Sequence, residues 1–214
     1  MTINKPLILK AMRVAIARAK ASGSPYAQGK AYELRVLLKL LRIIDGAGYT
    51  LTCAPKQAGV LTFGGGPCKA NHPQHDFISG STSTHKLEIR VSVQVTTLSH
   101  SWKGTKVVKA ADRHEIDVGV YRPIATRSYP AFSELILGAS CKTGSWCKAY
   151  VREALGMRRE LGFLTSAKAS SAPWFTAAVP CDPPVPFILY ASNAGSAVYA
   201  SLAALGLYVE HYKG

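Results

Sequence analysis

Acids are scarce in this chain. Twelve Asp and Glu stand against 26 Lys and Arg, which leaves a formal charge of +14 and a pI near 9.7. Lysines and arginines that neutralise phosphates gain binding free energy through counterion release, so nucleic acid is the expected partner. An anionic membrane surface, an acidic protein or a merely basic exterior would also fit the charge. Long apolar runs are missing as well: none approaches the roughly 18 residues of a membrane span. The opening "MTINKPLILKAMRVAIARAK" is broken by Lys and Arg too regularly for a signal peptide, and a cytoplasmic protein is expected. Cysteines number five, an odd count at wide spacing, which argues against a disulfide framework. Neither an internal repeat nor a heptad run occurs.

What remains is 214 residues, 48% of them apolar, enough for one globular domain with a substantial core. Residues 7–20 place apolar side chains at three- and four-residue spacing between Lys10, Arg13, Arg18 and Lys20, predicting a basic amphipathic helix. After the break "ASGSPYAQG", a second helix carries Glu33, Arg35, Lys39 and Arg42 on its polar side and stops at Gly46 and Gly48. Residues 50–86 read as a long loop or loosely structured hairpin. "KLEIRVSVQVTT" then alternates cleanly, "HEIDVGVY" continues the β signal, and "ELILGASCK" supplies a third, more continuously apolar strand. A helix follows in "SWCKAYVREALGMRRELGFLTS" with Ser145 as its cap. Two further strands, "PWFTAAVP" and "PPVPFILYAS", and a closing helix over 195–214 complete the order α-α-β-β-β-α-β-β-α. The expected division is a basic N-terminal helix and linker over 1–27 and a single core over 28–214.

Alternation puts Glu115 and Asp117 on one side of their strand, and Ser140 and Lys142 on one side at the end of the next. If these strands are neighbours, acid, hydroxyl and ammonium meet at one sheet edge. Such a group suits metal-assisted phosphodiester cleavage, because a carboxylate holds a hard divalent cation and a lysine can orient the attacking water.

In these residues the chain resembles the PD-(D/E)XK, or restriction-endonuclease-like, nuclease superfamily. The likeness covers the element order from about residue 28 to 190: a helix with Glu33 in "AYELR", a strand, the acid strand "EIDV", a strand ending in "SCK", and a helix. It implies an α/β fold with a mixed central sheet flanked by helices. It further implies Asp117 as principal metal ligand, Lys142 as water-positioning group, Glu33 as accessory acid and the Cys141 carbonyl as a backbone ligand. The expected cofactor is Mg²⁺, with Mn²⁺ as a substitute. One departure stands out: the acid normally two residues before the lysine is Ser140. Some family members with S-x-K recruit a carboxylate from the following helix, which here offers Glu153 and, seven residues on, Glu160.

The function expected from this resemblance is a metal-dependent endonuclease acting on double-stranded DNA, of restriction or defence type, working as a homodimer. Its rivals are a catalytically inactive DNA-binding or assembly subunit on the same fold, and an RNA-directed nuclease. Phosphate contacts are expected from Lys103, Lys106, Lys109 and Arg113 in the connection before Asp117, and from Arg152, Arg158 and Arg159 on the helix after "SCK". Three other patterns are weaker. Cys68, His72 and His75 are three zinc-ligand types without a fourth. "FGGGP" lacks the Lys-Ser/Thr ending of a phosphate-binding loop and reads as a turn or flap. Cys141 or Cys147 with His114 would be a Cys-His pair fixed by nothing beyond residue type.

Overall fold

A computed structural model describes residues 2–57, 60–63, 66–124, 128–193 and 202–213. Strand β1 (Ile3–Asn4) leads into helices α1 (Lys5–Ala21) and α2 (Pro25–Gly46). The Gly-Ser-Pro break is where α2 begins rather than a linker: Ser24 Oγ accepts from the Ala27 amide at 3.1 Å and Pro25 fills the first turn, where no amide is needed. The boundary expected after residue 27 therefore falls inside α2. Helix α1 does not stand apart either, since Ile8 and Met12 are fully buried in the core that α2 fills with Leu37, Leu40, Leu41 and Ile44.

Strands β2 (Thr50–Cys53) and β3 (Ile78–Ser81) pair antiparallel across the region expected to be loop or hairpin. Then come β4 (Lys86–Thr96), a short helix α3 (Leu98–Lys103), β5 (Arg113–Tyr121), β6 (Leu135–Lys142), α4 (Lys148–Arg159), β7 (Phe163–Lys168), β8 (Val179–Asp182), β9 (Phe187–Ala191) and β10 (Leu207–His211). Among the described residues eight strands form one mixed sheet in the order β1-β2-β3-β4-β5-β6-β9-β10. Pairing is antiparallel from β1 to β6, whereas β6–β9 and β9–β10 are parallel. β7 and β8 make a separate two-stranded ribbon. Helices α1 and α2 cover one face through a core that includes Ile89, Val91, Val118 and Val120. Helix α4 covers the other with Val151, Ala154 and Met157 against Val93, Val95 and Ile116. The result is a mixed sheet flanked by helices, as expected.

Two expectations at the C-terminal side are corrected. The helix after β6 runs over 148–159 and is preceded by Cys147, which makes no side-chain cap, not Ser145. It ends shortly before Gly162, the glycine expected near its end, which lies so close to the ribbon that a Cβ there would meet the Asp182 carbonyl oxygen at 2.9 Å; the chain then extends as β7. The closing helix is replaced over Leu207–His211 by β10, which starts after Gly206 at φ +71° and alternates Leu207 and Val209 along β9. Residues 195–201 and 214 of that expected helix lie outside the described residues, as do Gly64 and Gly65 of the expected flap. No described helix is long and apolar enough to cross a membrane.

Candidate functional site

The site lies where the sheet's regular pairing fails. In the β4–β5 ladder Val91 pairs with Val118 and Val93 with Ile116, which sets Ser92 opposite Asp117. Ser92 adopts φ +54°, a left-handed conformation that costs a non-glycine residue about 1–3 kcal/mol. At this point the apolar residues of both strands pass from the α1/α2 core to the α4 core, as Val91 and Val118 belong to the first and Val93 and Ile116 to the second. The turned backbone gives the Ser92 carbonyl to the Cys68 amide at 2.9 Å, while the buried hydroxyl faces α2. There it accepts from Lys30 Nζ at 2.8 Å and donates to Glu33 Oε2 at 3.3 Å. Lys30 Nζ also donates to both Glu33 oxygens at 2.8 Å.

On the other side of Asp117 the β5–β6 ladder stops at Val118–Ala139. The Cys141 amide beyond it donates instead to Asp117 Oδ2 at 2.6 Å, and Ser140 Oγ to the same oxygen at 3.3 Å. The serine in place of an acid thus fastens Asp117. Lys142, at the strand end, donates to Glu153 Oε1 at 2.7 Å from α4. A cleft of about 590 Å³ opens onto Glu115, Asp117, Ser140, Lys142, Glu153 and Arg159.

Three carboxyls here are held above their ordinary range. Burial pushes Glu33 up to about 7, aided by the negative charge of Asp117 and only partly opposed by Lys30. Burial also raises Glu115, with Asp117 adding to it. Asp117 is raised by burial against the pull of the Cys141 amide, Lys142, Lys30 and Ser140. For the cations the balance is reversed: burial pulls Lys30 and Lys142 down, but Glu33 on the first and Glu153 on the second more than offset it, and both end above the ordinary lysine value. Both ammoniums are charged at neutral pH. Burial and mutual repulsion disfavour the ionised form of these three acids, and a cation bound among them would favour it.

Among the described residues no three His, Cys, Asp or Glu side chains form a group that could hold a metal ion by themselves. A Mg²⁺ site asks for less: one or two carboxylates, with water and substrate phosphate filling the rest. Asp117 and Glu115, hard oxygen donors on one strand facing one cleft, fit that requirement.

Of the residues expected in the site, Asp117, Ser140, Cys141, Lys142 and Glu33 are brought together. Glu153 also arrives, but its carboxylate engages Lys142 rather than Asp117, and Glu160 bonds the Ser99 amide and hydroxyl at the cleft rim. Lys30 and Ser92 join them without having been expected from the sequence. The i,i+3 spacing of Lys30 and Glu33 marks an ion pair and not a site, and nothing in an alternating strand announces the left-handed Ser92.

The expected phosphate contacts divide. Arg152 and Arg159 are exposed on α4, and Arg159 lines the cleft. Arg158 is corrected: it is 2% exposed and donates to the Gly162 carbonyl, because it shares the buried helical face of Val151, Ala154 and Met157. Lys106 and Lys109 are exposed, Lys103 pairs with Asp112 at 2.6 Å, and Arg113 bonds Gln94 and Tyr129. The Cys-His alternative loses its nucleophile at Cys141, whose thiol burial and the nearby acids push well up. The Cys68 thiol faces the Ser92 carbonyl at 3.2 Å and His72 stacks on His75, which does not make a zinc site. Comparison with protein-family models, with curated proteins and with solved structures gave no match to this chain.

Proposed function

We propose that the chain is a metal-dependent nuclease of restriction-endonuclease type that hydrolyses DNA phosphodiester bonds. The observation that carries this reading is the meeting of Glu33, Glu115 and Asp117 with Lys30 and Lys142 where the β4–β5 and β5–β6 ladders part. The order of elements supports it: a helix bearing an acid, an antiparallel series whose last two strands bear Asp117 and Lys142, a helix, and a parallel strand beside the lysine strand. So does a net charge of +14 around an acidic cleft.

Asp117 and Glu115, with the Cys141 carbonyl, would hold Mg²⁺, which when bound supplies Lewis-acid stabilisation of charge developing on the phosphoryl oxygens. Cys141 and Ser140 fix the Asp117 carboxylate, so little reorganisation is needed when substrate arrives. Lys142 presents protons to the attacking water or to a phosphate oxygen. Glu153 keeps it charged and anchored. Lys30 and Ser92 hold Glu33 one step behind, as positioning groups. Exposed Arg152 and Arg159 receive the backbone, and a two-fold homodimer would place one site on each strand of a duplex.

Purified protein incubated with supercoiled plasmid, linear duplex and structured RNA, each with Mg²⁺, Mn²⁺ or EDTA, tests this. Metal-dependent nicking or linearisation of DNA, lost in Asp117→Ala and Lys142→Ala with duplex binding kept within a few-fold, is expected. Wild-type turnover in either variant would remove the site. The Lys142–Glu153 pair favours one second reading, a DNA-binding subunit without turnover, since it occupies the lysine; such a protein would bind plasmid in EDTA and cleave nothing with any metal.

A further inference from the structure

Beside the acidic cleft lies a second cavity of about 780 Å³, within the range of small-ligand pockets, that the cleavage chemistry does not use. Lys69, Asn71, His72, His75, Gln94 and Tyr129 line it, and no Asp or Glu does among the described residues. Its walls are aromatic and cationic together. His72 and His75 stack with centroids 4.1 Å apart and planes at 25°. The Tyr129 ring, on the same lining, carries the Arg113 guanidinium at 4.5 Å and the Lys69 ammonium at 5.8 Å. Arg113 also donates to Gln94 Oε1 at 3.2 Å and to the Tyr129 hydroxyl, so ring, cation and amide form one unit.

This wall is fastened at three points. Cys68 bridges onto β4, its amide on the Ser92 carbonyl and its carbonyl on the Gln94 amide. The Ala70 amide donates to Ser128 and its carbonyl accepts from Arg90 at 2.7 Å. Buried Asp76 accepts the amides of Lys56 and Thr62, both at 2.8 Å. A pocket built this way is preorganised. It also adjoins the acids: Gln94 pairs with Glu115 across β4–β5, and burial together with the Glu115 charge pushes up the Cys68 thiol.

We infer that this cavity holds one unpaired nucleotide of the substrate, its base against Tyr129 and the His72–His75 stack and its phosphate on Lys69, with Arg113 on the Tyr129 ring adding positive charge. The chemistry matches: flat π-faces accept any base, Asn71 and Gln94 amides suit base edges, and the cations suit phosphate. Paired bases in a duplex cannot enter such a recess. The inference rests on the nuclease reading and narrows its substrate to DNA with a displaced or single-stranded nucleotide next to the scissile bond.

The test is anisotropy in EDTA with a labelled duplex and the same duplex carrying one unpaired 2-aminopurine. Wild type is expected to bind the second about ten-fold more tightly and to quench its fluorescence, the scale of one base stacked on aromatic side chains. The preference should vanish in Tyr129→Leu and in the His72→Ala, His75→Ala double variant, and persist in Tyr129→Phe, which keeps the ring. Equal binding of the two duplexes by wild type overturns the inference, as does a preference untouched in both ring-removing variants. Since the assay contains no metal, a failure of cleavage counts against the nuclease reading alone, and a failure of the preference against the pocket alone.

Discussion

Lys142 Nζ donates to Glu153 Oε1 at 2.7 Å, and Glu153 remains about half exposed. The carboxylate expected to replace the acid missing at Ser140 is therefore a partner of the lysine rather than of Asp117. Glu153→Gln removes a charge that raises Lys142. If Lys142 acts protonated, the alkaline limb of the pH–rate profile should move to lower pH while the rate at neutral pH falls only several-fold. Complete loss at every pH would instead return Glu153 to the metal-binding set.

Ser92 separates backbone strain from hydroxyl chemistry. Ser92→Gly suits φ +54° and Ser92→Ala does not, so the glycine variant should be more stable than the alanine variant by about 1 kcal/mol in urea unfolding. Both lose the bonds to Lys30 and Glu33 and should lose activity to a similar degree. An active glycine variant would confine Ser92 to shaping the strand.

Much of this arrangement is legible in the sequence. Regular alternation marks β4 and β5, and the apolar run before Lys142 marks β6, because each strand is long enough for its period to show. Asp117, Ser140 and Lys142 follow from those strands being neighbours. Short elements whose state is set by their neighbours are not legible: β7 and β10 lie where apolar residues fit either period, and β9 and the ribbon decide between them. Arg158 reads as a phosphate ligand by charge, yet the helical phase buries it with Val151 and Met157. Lys30 carries little signal because an i,i+3 ion pair is ordinary on a helix surface; only the sheet beneath makes it part of a site.

On the exposed face of α4, salt dependence separates the arginines. Neutralising Arg152 and Arg159 to Gln should make the log Kd against log salt slope for duplex DNA shallower by about one to two units, one for each phosphate left without its cation. Arg158→Gln should leave the slope alone and lower the unfolding midpoint, since its guanidinium is buried beside Gly162 and Gly206. A slope change in Arg158→Gln with no change in the double variant would reverse the assignment of this helix.

The acid cluster predicts how pH and metal trade stability. Glu33 is pushed up to about 7 from an ordinary 4.5, so between these values the folded state holds a proton the unfolded state has lost. The contribution of neutral Glu33 is then complete below about pH 4.5 and is lost as pH rises through 7, on the order of 3 kcal/mol by linkage. Wild type should lose that stability relative to Glu33→Gln between pH 5 and pH 8 in denaturant titrations without metal. Asp117 and Glu115 are shifted in the same direction, so the cost of three ionised acids is largest at alkaline pH. A cation bound there competes with protons. Millimolar Mg²⁺ should accordingly raise the melting temperature more at pH 8 than at pH 5, and Asp117→Asn should abolish the gain. A Mg²⁺ effect equal at both pH values, or surviving in Asp117→Asn, would place the ion elsewhere on the molecule and leave the carboxyls balanced by Lys30 and Lys142 alone.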